Sequence, residues 1–103
     1  FIEYGGTAPG YPVFYIDVID ELDSLQILHV ESGRYVLLEG NFQPGDEIVI
    51  DHNDQSITLN GVYRLDLLNI KARFFRLQKG TNSFEVSPQY GAIISMEWAE
   101  RWK

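Results

Sequence analysis

The fold class is indicated most clearly by residues 45–61, which read GDEIVIDHNDQSITLNG. Apolar side chains recur at about every second position in the runs 47–51 and 56–59, as in strands, whose successive side chains point to opposite faces. The polar residues 52–55 between the runs favour a turn. Asn60-Gly61 is a strong short signal for a hairpin, because both residues accept positive φ. The stretch therefore predicts two antiparallel strands and a third that returns after Asn60-Gly61.

The strand pattern extends to both sides of this stretch. Phe14, Ile16 and Val18 are expected to share one face of a strand, while Val13 and Tyr15 face the other way. Further strands are predicted at residues 25–30, 35–38, 62–64, 72–77, 83–86 and 92–98, with turns or loops at 31–34, 40–46, 79–82 and 87–91 and one helical turn at 66–71. About eight or nine such strands predict an all-β fold of two packed antiparallel sheets, a β-sandwich or jelly roll.

The length of the chain and its net charge limit the number of domains and the kinds of partner to be expected. A chain of 103 residues fits one hydrophobic core, so we expect a single domain over residues 1–103. The net charge of −7 repels phosphate backbones and makes nucleic acid an unexpected partner. The apolar runs fall far short of the roughly 20 residues that cross a bilayer, so membrane insertion is not expected. The chain does not begin with Met and has no signal-peptide pattern, and we expect it to be part of a longer protein.

The residue types that carry chemistry are scarce. The chain has two histidines, His29 and His52, and no Cys, which excludes the ligand spacing of a zinc site. Nothing resembles a nucleophile elbow or a glycine-rich phosphate loop. His29 falls among apolar residues of a predicted strand, where a structural role is the expected one. We therefore expect neither an enzyme nor a cofactor or metal ion.

Two acidic stretches leave calcium open as an alternative. Residues 17–23 carry four carboxylates and residues 51–54 combine Asp, His and Asn, and oxygen atoms are the ligands that Ca²⁺ prefers. Neither stretch has the spacing of a known calcium loop. A solvated loop at 17–23 and side-chain hydrogen bonds within a turn at 51–54 are the simpler interpretations.

The aromatic residues are the more informative class, because they make up 14% of the chain and several fall in or near loops. Exposed aromatics on a β-sandwich can anchor a protein interface or stack on a sugar ring. The candidates for such contacts are Tyr4, Phe42, Tyr90 and Trp102. For each of them the competing expectation is burial in the core, which large side chains must fill in so small a domain.

A series of short motifs, taken in order, resembles one family. They are Gly6-Thr7-Ala8-Pro9, Tyr11-Pro12-Val13, Gly45-Asp46, Ile50-Asp51, Asn60-Gly61, Phe74-Phe75-Arg76-Leu77, and Gly80 with Asn82. Their order and spacing are similar to those in the C-terminal domain of the distal tail protein, Dit, of long-tailed siphophages, and the resemblance covers nearly the whole chain. The motifs are architectural: Gly45, Asp46, Asn60, Gly61, Gly80 and Asn82 are expected to shape turns.

The resemblance implies a galectin-like β-sandwich that forms the C-terminal part of a longer structural protein of the virion tail tip, assembled in the host cytoplasm. It implies a hexameric ring for the full-length protein, with the tail tube and a tail-associated or receptor-binding protein as partners. We expect this domain alone to be a monomer or weak dimer. The alternative function is a carbohydrate-binding module for a host-surface saccharide, although the sugar-contacting residues of galectins have no counterpart around Arg73 and Arg76.

Overall fold

The computed structural model describes residues 2–6, 10–69, 72–88 and 90–98. The described residues form, in order, β1 (Ile2–Tyr4), β2 (Val13–Val18), β3 (Leu22–His29), β4 (Arg34–Phe42), β5 (Glu47–Asp51), β6 (Ser56–Leu59), β7 (Val62–Tyr63), a 3₁₀ turn (Leu65–Leu67), β8 (Gly80–Asn82), β9 (Phe84–Ser87) and β10 (Ala92–Glu97). The fold is all-β, as the sequence predicts, and its two main sheets are antiparallel.

The larger sheet has five strands in the order β10-β2-β5-β6-β7. Its second strand, β2, lies between β10 and β5, with Phe14 opposite both Met96 and Ile50. Directly opposed residues point to the same face of a sheet, so these three side chains form one row of the inner face. Burial alternates along β2 as the sequence predicts. Phe14, Ile16 and Val18 are buried, while Tyr15 and Asp17 are exposed.

The smaller main sheet has three strands in the order β4-β3-β9. Ile27, at the centre of β3, is opposite Val36 of β4 and Val86 of β9. The β3–β4 register shifts between Leu22 and Ser24. Such an irregularity bends a strand and changes which side chains face the core. It accompanies the extension of this hairpin beyond the predicted strands, to Leu22 on one side and Phe42 on the other.

The inner faces of the two main sheets pack against each other around one hydrophobic core. Its buried members are Phe14, Ile16, Val18, Leu22, Leu25, Ile27, Val36, Leu38, Phe42, Ile48, Ile50, Ile57, Leu67 and Phe75. Both sheets contribute to this cluster, which is the arrangement of a β-sandwich. Burying one such side chain stabilises the fold by about 1.5–3 kcal/mol, so the core is sufficient without disulfides.

Two of the motif turns are joined to each other by side-chain hydrogen bonds. Asn60 Nδ2 donates to Asp46 Oδ1 at 3.1 Å, and Asn60 Oδ1 accepts from the Glu47 backbone N–H at 2.8 Å. Asp46 Oδ2 also accepts from the Gln43 N–H. The bond from Gln43 and then that from Asn60 lower the pKa of the Asp46 carboxyl, because both favour its charged form. The turn before β5 and the turn after β6 thus lie at the same end of the β5–β6 hairpin and are bonded to each other.

The prediction of a strand at residues 72–77 is wrong. The backbone N–H groups of this segment donate to four unrelated acceptors: Ala72 to Asn69 O, Arg73 to Tyr35 O, Phe75 to His52 Nδ1, and Leu77 to Gly10 O. The segment therefore crosses from one part of the molecule to another rather than following one strand. Its apolar residues Ala72, Phe75 and Leu77 are buried without belonging to a β-ladder.

Three smaller predictions also differ from the structure. The helical turn is a 3₁₀ turn at Leu65–Leu67 rather than at residues 66–71. Residues 40–42 belong to β4 instead of a loop. Residues 80–82, expected as a turn, form the short strand β8, which pairs with β1 in a separate two-stranded sheet.

Candidate interaction surface

Two of the four candidate aromatics are core residues. Tyr4 and Phe42 are each only 1% exposed, so the expectation that they contact a partner or sugar is wrong. Tyr4 packs over Gly10, where an added Cβ would lie 2.7 Å from the tyrosine ring. Phe42 occupies a buried position at the end of β4. Both side chains fill space that a small sandwich needs to close its ends.

Of the other two candidate contact residues, the structure describes Tyr90. Tyr90 is 76% exposed and borders a cleft of about 670 Å³ together with Leu22 and Pro88. Its role as a contact residue stays a prediction. Trp102 lies outside the described residues.

Four of the six turn candidates have the backbone geometry that glycine and asparagine favour, and Asp46 and Asn82 are the exceptions. Gly45, Asn60, Gly61 and Gly80 have φ values of 93°, 52°, 84° and 91°, in the left-handed region that residues with a Cβ rarely adopt. Asn82 instead acts through its side chain, which donates to the backbone oxygens of Gln78 and Gly80. Its contribution is to close the turn between Gln78 and β8.

The outer face of the five-stranded sheet carries exposed apolar and aromatic side chains. One row across it runs from Ser95 through Tyr15, Val49 and Thr58 to Tyr63, each residue opposite the next. Tyr15 and Tyr63 are 39% and 77% exposed. Aromatic side chains of this kind supply much of the binding energy in protein interfaces. We refer to this row of five residues as the tyrosine row.

The charged residues of the strands that carry the tyrosine row are all acidic. The outward-facing residues of the five described strands include the carboxylates of Asp17, Glu47, Asp51 and Glu97 and no Lys or Arg. Tyr15 donates to Glu97 Oε2 at 3.1 Å. This hydrogen bond, burial, and the charges of Glu97 and Asp51 raise the pKa of the Tyr15 hydroxyl. The outer face is therefore suited to a partner surface that brings positive charge.

A cleft of about 490 Å³ opens at one end of the same sheet, and its lining includes Tyr11, Val13, Asp51, Asn53, Glu97 and Trp98. Val13 is opposite both Asp51 and Glu97, so the two carboxylates flank it on neighbouring strands. Trp98 is 41% exposed. We refer to this cleft as the Trp98 cleft. Val13, Asp51 and Glu97 belong to three strands that are distant in sequence, and the register of those strands brings them together. Tyr11, Asn53 and Trp98 lie just beyond the ends of the same strands.

Both histidines are buried, and their partners are structural. His29 and His52 are each 1% exposed. The ring centroids of His52 and Phe75 are 4.1 Å apart, and His52 also contacts Phe14 and Phe74 edge-on. Burial first, and the neighbouring His29 second, lower the pKa of His52 to about 3, so that its ring is neutral near pH 7. His29 Nδ1 lies 2.7 Å from Ser32 Oγ, and that oxygen also accepts from the Arg34 backbone N–H, so this contact helps to close the turn between β3 and β4.

The carboxylates at 17–23 and 51–54 do not converge on a point. In the described part of the chain no group of three or more His, Cys, Asp or Glu side chains is placed to hold a metal ion. Asp51 Oδ1 accepts from the backbone N–H groups of Asn53 and Asp54, which is the turn-closing role expected for that stretch. Nor does any helix among the described residues have the length and apolarity to span a membrane.

The fold and its exposed sheet face define an all-β domain suited to contacts with other macromolecules. The chain belongs to the family described as siphovirus-type tail component, C-terminal domain, whose sequence model matches residues 5–102. No curated protein and no solved structure matches the chain. Membership of this family implies a structural role in the phage tail, a place in the virion tail and contacts with other tail proteins, and the family is not a known class of enzyme.

Proposed function

We propose that this chain is the C-terminal domain of a distal tail protein and that it contacts other tail-tip proteins through the outer face of its five-stranded sheet. The family match over residues 5–102 supports the tail role. The observation that carries the contact surface is the tyrosine row, whose Tyr63 is 77% exposed. In this proposal the ring-forming part of the full-length hexamer lies outside this chain, and the domain functions at the tail tip after assembly in the host cytoplasm.

The composition of the face favours a protein partner. Tyrosine offers a large apolar area with a polar hydroxyl at modest entropic cost, and such residues are enriched at protein interfaces. The surrounding carboxylates of Asp17 and Glu47 are placed to meet Lys or Arg on the partner. A tail-tube, tail-associated or receptor-binding protein with a basic contact surface fits this description.

The experiment is binding of the purified chain to the individually purified tail-tip proteins of the same phage, measured by sedimentation velocity. Tyr63→Arg should weaken binding to one of them at least about tenfold, since loss of an aromatic residue that anchors an interface costs about 1.4 kcal/mol or more. Tyr90→Arg is the control, because Tyr90 is 76% exposed but lies outside the tyrosine row. Loss of binding with Tyr90→Arg and not with Tyr63→Arg would refute the assigned face, and absence of binding to every tail-tip protein would refute the contact role.

Saccharide recognition is a second candidate function, and one observation favours it. Among the described residues, Trp98 and Tyr11 line a cleft that also holds carboxylate and amide groups. Trp98 follows β10, at one edge of the five-stranded sheet, whereas Tyr63 is in β7 at the other edge. Trp98 and Tyr63 therefore lie at opposite edges of the sheet, and the two candidate sites adjoin where Tyr15 donates to Glu97.

A further inference from the structure

We propose that the Trp98 cleft binds an uncharged saccharide, with the indole of Trp98 against the sugar ring and the carboxylates of Asp51 and Glu97 accepting from its hydroxyl groups. This inference rests on the second candidate function. The cleft of about 490 Å³ is within the range of about 300–1,000 Å³ that is usual for small-molecule sites.

The apolar part of the cleft suits the face of a sugar ring. Trp98 exposes 41% of its surface and Tyr11 lines the same cleft, and Val13 forms part of the lining between the two carboxylates. The C–H faces of a pyranose are apolar, whereas its rim carries hydroxyl groups. Large flat aromatic rings with a polar handle are suited to such a ligand, because they gain contact area without leaving a buried polar group unpaired.

The polar part of the cleft suits the rim of the ring. Asp51 accepts two backbone N–H groups through Oδ1, and Glu97 accepts the Tyr15 hydroxyl through Oε2. An ionised carboxylate has about four acceptor sites, so both retain capacity for sugar hydroxyls. The existing bonds also orient the two groups before a ligand arrives, which reduces the entropy lost on binding.

The charge of the cleft selects the class of saccharide. Among the residues that the structure describes, its lining has two carboxylates and no Lys, Arg or His. A uronic acid or a sugar phosphate would place a negative charge beside Asp51 and Glu97, which costs free energy. An uncharged hexose, deoxyhexose or N-acetylhexosamine avoids that repulsion.

The spacing of the two cleft carboxylates is compatible with one saccharide that contacts both. Asp51 and Glu97 lie on the strands to either side of Val13, and two strand spacings amount to about 10 Å between the backbones. A sugar has hydroxyl groups around its whole rim and can reach both.

The test is a fluorescence titration of the full chain carrying Trp102→Phe, so that Trp98 is its one remaining tryptophan. The probes are glucose, galactose, rhamnose and N-acetylglucosamine, with glucuronic acid and glycerol phosphate as anionic probes and a lysine peptide as the protein-like probe. At least one uncharged sugar should change the Trp98 emission with a Kd of about 1 mM or below, and the anionic probes should bind at least about tenfold more weakly.

Substitutions in the cleft distinguish binding at the proposed site from weak nonspecific binding. Trp98→Ala and Glu97→Gln should each weaken binding of that sugar at least about fivefold, equivalent to about 1 kcal/mol. Binding to Trp98→Ala, which lacks the fluorescent residue, is measured by calorimetry. Tyr63→Ala is the matched control and should leave the affinity unchanged. The proposal is overturned if no uncharged sugar binds at about 20 mM, if only the lysine peptide binds, or if Tyr63→Ala lowers the affinity as much as Trp98→Ala.

Discussion

His29 Nε2 lies 2.8 Å from Asn82 Oδ1, and this buried hydrogen bond links β3 to the turn that begins at Gln78. Asn82 Oδ1 also accepts from the Gln78 N–H at 2.9 Å, while its Nδ2 donates to Gln78 O and Gly80 O. An amide oxygen only accepts, so His29 Nε2 carries a proton and donates. The pair explains why a histidine and an asparagine are tolerated in the interior: each polar atom named here has a partner.

Asn82→Ala should lower the free energy of unfolding by about 2–4 kcal/mol, because it leaves buried partners such as the Gln78 N–H and His29 Nε2 without their bonds, at about 1–3 kcal/mol each. Urea denaturation followed by circular dichroism measures the change. Asn41→Ala is the control, since the Asn41 side chain is exposed and accepts only a surface bond from Gln43 Nε2. Equal stability of the two variants would show that the buried network contributes little.

His52 makes stability depend on pH in a range above that of most carboxylates. Burial lowers its pKa to about 3 in the folded chain, against an ordinary value of 6.5, so the unfolded chain binds more protons between these values. Stability from His52 is complete above about pH 6.5 and falls by up to about 1.4 kcal/mol per pH unit as the pH decreases towards 3.

The measurement is the free energy of unfolding in urea at pH 7 and at pH 5.5. His52→Gln is the informative variant, because an amide oxygen can still accept from the Phe75 N–H, which donates to His52 Nδ1 at 3.0 Å, but does not titrate. Its stability should change less than that of the wild type over this interval. If the free energy of unfolding falls by the same amount in the two proteins between pH 7 and pH 5.5, His52 is not buried in its neutral form.

The strands could be predicted where the signals are local. Residues 13–18, 47–51 and 56–59 combine alternation with adjacent turn residues, and the structure has strands with those bounds. Residues 72–77 are also rich in apolar side chains without being a strand, since most acceptors of their N–H groups come from different, distant parts of the chain. A sequence pattern indicates which side chains are buried, but it does not indicate which acceptor each backbone N–H group will bond.

The candidate surfaces were less predictable than the strands. Tyr15 was expected to face away from Phe14, which the structure confirms. The Trp98 cleft depends on β10 pairing with β2 near the other end of the chain, and no hairpin turn indicates that pairing. Tyr4 was misassigned for a similar reason, because Gly10, the residue against which it packs, makes a bridge to Leu77.

The isolated chain should sediment as a monomer or weak dimer at micromolar concentration. Its net charge of −7 opposes self-association, and the carboxylates on the outer sheet face have no basic residue beside them among the described strands of that sheet. Raising the salt concentration shortens the range of this repulsion, so any dimer should become more populated in high salt. A stable hexamer at low salt would show that this domain has its own ring interface.

Gly61→Val should destabilise the Asn60-Gly61 hairpin through the backbone alone. Gly61 has a φ of 84°, and an added Cβ would meet nothing within 4 Å, so the cost is conformational strain and not a clash. That strain amounts to about 1–2 kcal/mol. The melting temperature should fall by roughly 4–8 °C for each kcal/mol lost while the β-sheet spectrum is retained.

Gly61→Asn is the matched variant for this turn. Asparagine tolerates the left-handed region better than valine, as Asn60 does here at a φ of 52°, so Gly61→Asn should melt between the wild type and Gly61→Val. Because Asn60 also bridges to Asp46 and Glu47, distortion of this turn should reach the Gly45-Asp46 turn as well. If Gly61→Val melts at the wild-type temperature, the left-handed conformation at Gly61 is not required, and the turn does not constrain β6 and β7 as described.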